Sequence, residues 1–198
     1  MFTGIVEQIG RIEQIESIGS NRNFWISAPF ISELKIDQSV AHNGVCLTVV
    51  EFKDLNYCVT AIKETLDVTN LGSWKIGDAI NLERCMPANG RFDGHVVQGH
   101  VDTRGKVIDV KNETGSWGFT FQLDQPHNGL IVHKGSICIN GTSLTVTNVS
   151  ELTFSVAIIP YTFEFTNFHS LEIDSLVNIE FDILGKYVQA AILSQNQD

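Results

Sequence analysis

Basic residues are scarce in this chain. Lys and Arg number 13 against 23 Asp and Glu in 198 residues, a formal net charge of -10 at pH 7. Proteins hold nucleic acid largely by neutralising phosphates with Lys and Arg, so a nucleic-acid partner is not expected. An anionic membrane surface is disfavoured on the same ground. Long apolar runs are also missing. No stretch approaches the ~18 apolar residues of a membrane span, and the opening Met1-Phe2-Thr3-Gly4-Ile5-Val6-Glu7 has neither the basic nor the apolar region of a secretory signal. A cytoplasmic protein is expected. The four cysteines (Cys46, Cys58, Cys85, Cys138) contain no CxxC pair, so neither a disulfide framework nor a zinc site is expected. The common catalytic signatures are absent too: no G-x-S-x-G elbow, no P-loop, no G-x-G-x-x-G after a strand, no HExxH. His95 and His100 on a strand would point to opposite faces, which argues against joint metal ligation. No metal site is expected.

What the chain does have is a repeat. Residues 39–50 (SVAHNGVCLTVV) and 136–147 (SICINGTSLTVT) lie 97 apart and share six of twelve residues. The same offset aligns 61–83 with 158–180, matching Thr65 with Thr162, Thr69 with Thr166, Asn70 with Asn167 and Asn81 with Asn178. At an offset of 95, GIVEQIG (4–10) aligns with GHVDTRG (99–105). Three blocks in one order imply a duplicated unit, with domains at 1–94 and 95–182.

Each unit reads as all-β. Short runs rich in Val, Ile, Thr and Phe (CLTVVEF, YCVTAI, FTFQL, FSVAII) alternate with turn chemistry at Asn43-Gly44, Asn89-Gly90, Asn128-Gly129 and Asn140-Gly141. Several strands in ~90 residues suggest a small closed antiparallel barrel, which leaves no exposed edge. The tail, 183–198, reads as a helix, with Leu184, Tyr187, Val188, Ala191, Ile192 and Gln195 at helical spacing. It packs either on its own barrel or against another copy of the chain.

Two similar domains offer two similar pockets, able to hold two copies of one ligand in opposition, so that proximity and orientation do much of the chemical work. Cys46 and Ser143 occupy one repeat position, each followed by Leu-Thr. Cys46 is either a small buried residue or one side of an asymmetry between the pockets. Gly4 and Gly99 suit either a close backbone approach to a flat ligand or a tight turn. His100 is an acid/base candidate where the first repeat has Ile5. Asp182 stands at a strand-to-helix boundary, as a helix N-cap or a catalytic carboxylate. Thr65 and Thr162 either hydrogen-bond a ring edge or fill strand positions.

MFTGIVE at the N-terminus, NGVCLTV, KETL followed by TNLG, GHVVQGHVD and NGTSLTV together resemble the riboflavin synthase family, from Met1 to about Asp182. The resemblance implies an all-β fold of two tandem six-stranded Greek-key barrels, with a C-terminal helix that organises a homotrimer. It implies dismutation of two 6,7-dimethyl-8-ribityllumazine molecules into riboflavin and 5-amino-6-ribitylaminouracil, without cofactor or metal. The site would lie between the N-terminal barrel of one subunit and the C-terminal barrel of its neighbour, and lumazine synthase is a further candidate partner. Carried over residue by residue, one pocket would use Gly4, Ile5, Val6, Cys46, Leu47, Thr48 and the run Thr60, Ala61, Ile62, Lys63, Glu64, Thr65. The other would use Gly99, His100, Val101, Lys134, Ser143, Leu144, Thr145 and the run Ile159, Pro160, Tyr161, Thr162, Phe163, Glu164. Cys46, His100, Ser143, Thr145 and Asp182 form the implied catalytic set, with His100 and Asp182 handling protons or orientation and Ser143 and Thr145 holding the activated ring. Asn140 stands where many members carry Asp, and is left out of that set; Asn43 at the equivalent place favours a turn role. Two other classes share the fold: the non-catalytic lumazine and yellow fluorescent proteins, and the flavin domains of ferredoxin-reductase-like enzymes. The first tend to lose polar residues that this chain keeps, and the second append a nicotinamide-binding fingerprint that is missing here.

Overall fold

Among the described residues, alternation of apolar and polar residues along short Val/Ile/Phe-rich runs produces twelve strands in two sets of six. The first set is β1 (Gln8–Ile18), β2 (Asn21–Ser27), β3 (Ser39–His42), β4 (Val45–Lys53), β5 (Asn56–Ala61) and β6 (Ala79–Arg84). The second is β7 (Thr103–Glu113), β8 (Ser116–Leu123), β9 (Ser136–Ile139), β10 (Thr142–Val149), β11 (Thr153–Ile158) and β12 (Leu176–Phe181). Short helices α1 (Lys63–Val68) and α2 (Pro160–Phe165) follow the fifth strand of each set, and α3 (Ile183–Gln195) ends the chain. The computed structural model describes residues 1–195; positions 196–198 of the expected tail element lie outside the described residues.

Each set closes on itself, in the order β1-β2-β5-β4-β3-β6 and, equivalently, β7-β8-β11-β10-β9-β12. Closure needs strongly bent strands, and bulges supply the bend at matching places: Ile12/Gln14 and Val49/Glu51 in the first barrel, Val107/Asp109 and Val146/Asn148 in the second. Inward residues fill each barrel with its own core, Phe24, Ile26, Val49 and Leu82 in one and Phe119, Phe121, Phe154 and Ile179 in the other. The hairpins at Asn43-Gly44 and Asn140-Gly141 turn with positive φ at both residues (46° and 77°; 46° and 78°), the geometry for which Asn-Gly is suited.

The barrels meet at a seam of reciprocal contacts. Phe2 and Val97, equivalent at the offset of 95, exchange N–H···O bonds of 2.7 and 3.1 Å. A residue that pairs with its own repeat-equivalent marks a local twofold axis. Around that axis six asparagines are buried. Within the barrels Asn43 and Asn140 side chains accept from the backbone of Asn81 (2.7 Å) and Asn178 (2.9 Å). Between barrels, Asn81 Nδ2 donates to Asn140 O (2.8 Å) and Asn178 Nδ2 to Asn43 O (2.9 Å). The backbone N–H groups of Asn70 and Asn167 complete the network on Asn178 Oδ1 and Asn81 Oδ1, both at 2.7 Å. The matched asparagines of the repeat therefore serve the seam. Orphaning one such buried group costs about 1–3 kcal/mol.

Helix α3 runs off the second barrel. Asp182 caps it, accepting Leu184 N–H at Oδ1 (3.0 Å), so the capping reading of Asp182 holds. Lys186 pairs with Asp102 (2.6 Å), and Gln189 Nε2 donates to Asn128 O (2.8 Å). None of the helix is buried. Its apolar residues stand in the open, Tyr187 at 71% and Val188 at 60% exposure. Packing of this face on its own barrel is thus not what the structure shows.

Candidate active site

Cys46 and Ser143 lie at one register position of matching hairpins, opposite Ala41 on β3 and Cys138 on β9. Against each docks an irregular segment, and the segments cross. Gly4 lies on Ser143, whose N–H donates to Gly4 O at 2.7 Å; Gly99 lies on Cys46, whose N–H donates to Gly99 O at 2.9 Å. Both glycines have positive φ (76° and 80°), and a Cβ on either would stand 2.7 or 2.6 Å from the Cβ it faces. The sequence-based grouping set Gly4 beside Cys46 and Gly99 beside Ser143; the structure instead seats Gly4 on Ser143 and Gly99 on Cys46. The offset identifies equivalent positions, and the local twofold places each segment on the opposite hairpin. Val101, half-buried, packs on the first barrel's core rather than the second's.

The two positions differ chemically. Burial pushes the Cys46 thiol above its ordinary pKa, so it stays protonated near neutral pH. Ser143 Oγ instead makes a 2.7 Å hydrogen bond with Nδ1 of His95. Burial lowers the His95 pKa, while the charge of Asp182 pulls it up. Its Nε2 is buried with no hydrogen-bond partner among the described residues. The histidine that touches Ser143 is therefore His95, which the sequence reading considered only as a metal ligand. His95 and His100 lie in the irregular segment between the barrels, not on a strand, so the argument from strand faces does not apply. The His100 ring is exposed, and its backbone N–H is bound by Glu180.

Around Cys46 the structure places Leu47 (buried) and Thr48 (exposed) on β4. Thr60, at the end of β5, donates to Asn23 Oδ1 (2.8 Å), and Ala61 is buried beside it. Ile62 precedes α1 and is exposed. Lys63 pairs with Asp67 (2.6 Å); Glu64 is exposed, and Thr65 O accepts from Thr69 N at 3.1 Å. Around Ser143 stand Leu144 and Thr145 on β10, half-buried and exposed. Lys134 N–H donates to Val146 O beside Thr145 (2.9 Å). Ile159 and Tyr161 are exposed at the start of α2, Pro160 begins the helix, and Thr162 O accepts from Thr166 Oγ1 (2.7 Å). Phe163 stacks on Trp117 at 3.9 Å, and Glu164 is exposed. Among these residues the apolar Ile5, Ile62, Ile159 and Tyr161 stand exposed.

Behind both faces a small cluster of Phe2, Ala41, Val97 and Cys138 fills the space between the hairpins, touching Cys46. Phe2 is fully buried there, a role nothing in its local sequence announces. Among the described residues no three His, Cys, Asp or Glu side chains gather as a metal site, and no helix is long and apolar enough to cross a membrane.

Fold and paired faces define a protein of two tandem lumazine-binding domains: the family model described as lumazine binding domain matches residues 3–85 and 98–182. Riboflavin synthase of Actinobacillus pleuropneumoniae is 40% identical over this whole chain and 93% of its own length. That of Schizosaccharomyces pombe is 39% identical over 97% of this chain and 94% of its own. The chain belongs to the riboflavin synthase family. Crystal structures of LumP with 6,7-dimethyl-8-(1'-D-ribityl) lumazine and with riboflavin share its fold, with TM-scores of 0.83, at 22% and 24% identity, covering 91% of this chain and 98% and 99% of theirs.

Proposed function

We propose that this chain is a riboflavin synthase. It joins two molecules of 6,7-dimethyl-8-ribityllumazine, moving a four-carbon unit from one to the other and releasing riboflavin and 5-amino-6-ribitylaminouracil. The observation that carries this reading is the pair of equivalent positions with unlike side chains, a neutral thiol at Cys46 and a histidine-bonded hydroxyl at Ser143. Identical substrates on equivalent faces must still play different parts: one loses a proton from its C7 methyl and the other accepts a nucleophile at C7. Ser143 and Thr145 hold the ring that is activated, with the His95 imidazole taking up or returning the proton through Ser143 Oγ. The charge of Asp182 partly offsets the effect of burial on His95, and exposed His100 serves the neighbouring face. The hydroxyls of Ser143 and Thr145 stabilise the developing ring anion.

The open faces call for a second copy of the chain. We infer a homotrimer in the cytoplasm in which one chain's first face closes on the next chain's second face, with the uncovered apolar side of α3 at the contact. Lumazine synthase is the further partner this reading admits.

The test is to incubate the protein with 6,7-dimethyl-8-ribityllumazine alone and follow absorbance. Repeated turnover with one riboflavin per two lumazines consumed supports the reading. Tight binding without turnover makes the chain a fluorophore carrier on the same fold.

A further inference from the structure

Two carboxylates lie buried at the seam and take no part in the chemistry above. Glu83 on β6 is 5% exposed and Glu180 on β12 is 3% exposed. Neither forms an ion pair among the described residues. An unpaired buried charge is costly unless donors surround it. Glu83 accepts from Thr3 N (2.7 Å), Thr3 Oγ1 (2.9 Å) and Gly4 N (3.0 Å). Glu180 accepts from Gln98 N (2.7 Å), Gly99 N (2.8 Å) and His100 N (2.9 Å). Successive N–H groups turned to one side by a positive-φ residue make a concavity suited to an anionic oxygen, and each carboxylate takes two donors on one oxygen and the third on the other.

The same glycines that the carboxylates grip offer their carbonyls to the reactive positions, Gly4 O to Ser143 N and Gly99 O to Cys46 N. Each carboxylate is thus two hydrogen bonds from the reactive residue of the opposite barrel. Thr3 extends the first clamp, since its carbonyl accepts from His95 N (3.0 Å) beside the Ser143–His95 bond. We propose that Glu83 and Glu180 are a matched pair of positioning residues: Glu83 sets the wall against which Ser143 and His95 stand, and Glu180 sets the wall against Cys46 and the placement of His100. This rests on the riboflavin synthase reading for its chemistry, and on the hydrogen bonds alone for the clamp. Because each carboxylate sits in one barrel and serves the other, the two faces of a chain are built as one unit.

The test uses full-length Glu83→Gln, Glu180→Gln and the milder Thr3→Val, which removes one donor to Glu83 and keeps the side-chain shape. Wild-type turnover of the lumazine is measured first, and riboflavin binding is titrated by fluorescence in every protein. A misplaced wall costs on the order of tenfold or more. We expect Glu83→Gln and Glu180→Gln to lose about that much in kcat with a smaller change in KM, and Thr3→Val a few-fold. Each Gln variant is expected to weaken riboflavin at one site per chain while leaving the other. Folded variants with a lower melting temperature but unaltered kcat and binding would overturn the proposal, as would an unaltered Thr3→Val if both Gln variants fail to fold. A wild type that binds without turnover removes the enzyme reading, and site-selective weakening of riboflavin then still upholds the clamp. One that neither binds nor turns over removes both.

Discussion

Positions 46 and 143 face Ala41 and Cys138 across hairpins of identical register, and each receives a glycine carbonyl on its N–H. From there the halves part company. The thiol of Cys46 is kept neutral by burial, while Ser143 is bonded to a half-buried histidine under the influence of Asp182. The second barrel packs Phe119, Phe121, Phe154 and Phe168 together, whereas the first buries His42 against Tyr57 (2.8 Å). Duplication thus maintains the backbone frame around positions 46 and 143, and divergence falls on side chains, both at those positions and in the two cores.

The strongest way to break this comparison is to spoil the shared frame. Gly4→Ala and Gly99→Ala each drive a Cβ to within 2.7 Å of the opposing residue at a left-handed φ. We expect a loss of about 100-fold in kcat/KM from either, since displacements near 1 Å cost that much; equal losses would confirm equivalent frames. Next comes the chemical asymmetry. Ser143→Ala should lower kcat by on the order of tenfold to 100-fold, read in steady-state turnover. His95→Gln should lower it about tenfold. Because burial holds the His95 pKa below its ordinary value, the wild-type rate should fall only as pH drops below the usual histidine range, and that limb should vanish in the variant. Cys46→Ser places the second half's atom in the first and should change kcat less than about threefold; a tenfold loss would mean that the thiol itself reacts.

A pH scan of stability sharpens the same contrast in the cores. His42 is fully buried with its pKa lowered to about 4 from 6.5. The unfolded chain therefore binds this proton first as pH falls. Stability from this residue is complete above 6.5 and declines between 6.5 and 4, by roughly 3 kcal/mol in all. Chemical denaturation at pH 7 and pH 4.5 should show the loss, and His42→Gln should flatten the dependence.

Strands, hairpin turns, the duplication and the tail helix were all legible, because each has a local signature: alternation, Asn-Gly, a constant offset and helical spacing. Equivalence of Cys46 and Ser143 was legible too. Adjacency was not. An offset says which residues correspond and is silent on whether a segment lies on its own hairpin or its counterpart's, so the crossing of Gly4 and Gly99 needed the fold. His95 was hidden for the same reason, since its contact with Ser143 spans 48 residues. Phe2 carries no local pattern, and Glu83 and Glu180 are a matched identity at the offset of 97 that is silent on their burial and partners. The apolar stripe of α3 was visible, but not that it would stand uncovered.

The asparagine seam has a mechanical consequence. The angle between the barrels is fixed by side-chain and backbone hydrogen bonds, not by the peptide that links them. Pro87, Ala88 and Asn89 in that link are exposed. A protease cut there would sever the chain without loosening the joint, and the two pieces should stay together as a noncovalent pair in the shape of the intact molecule.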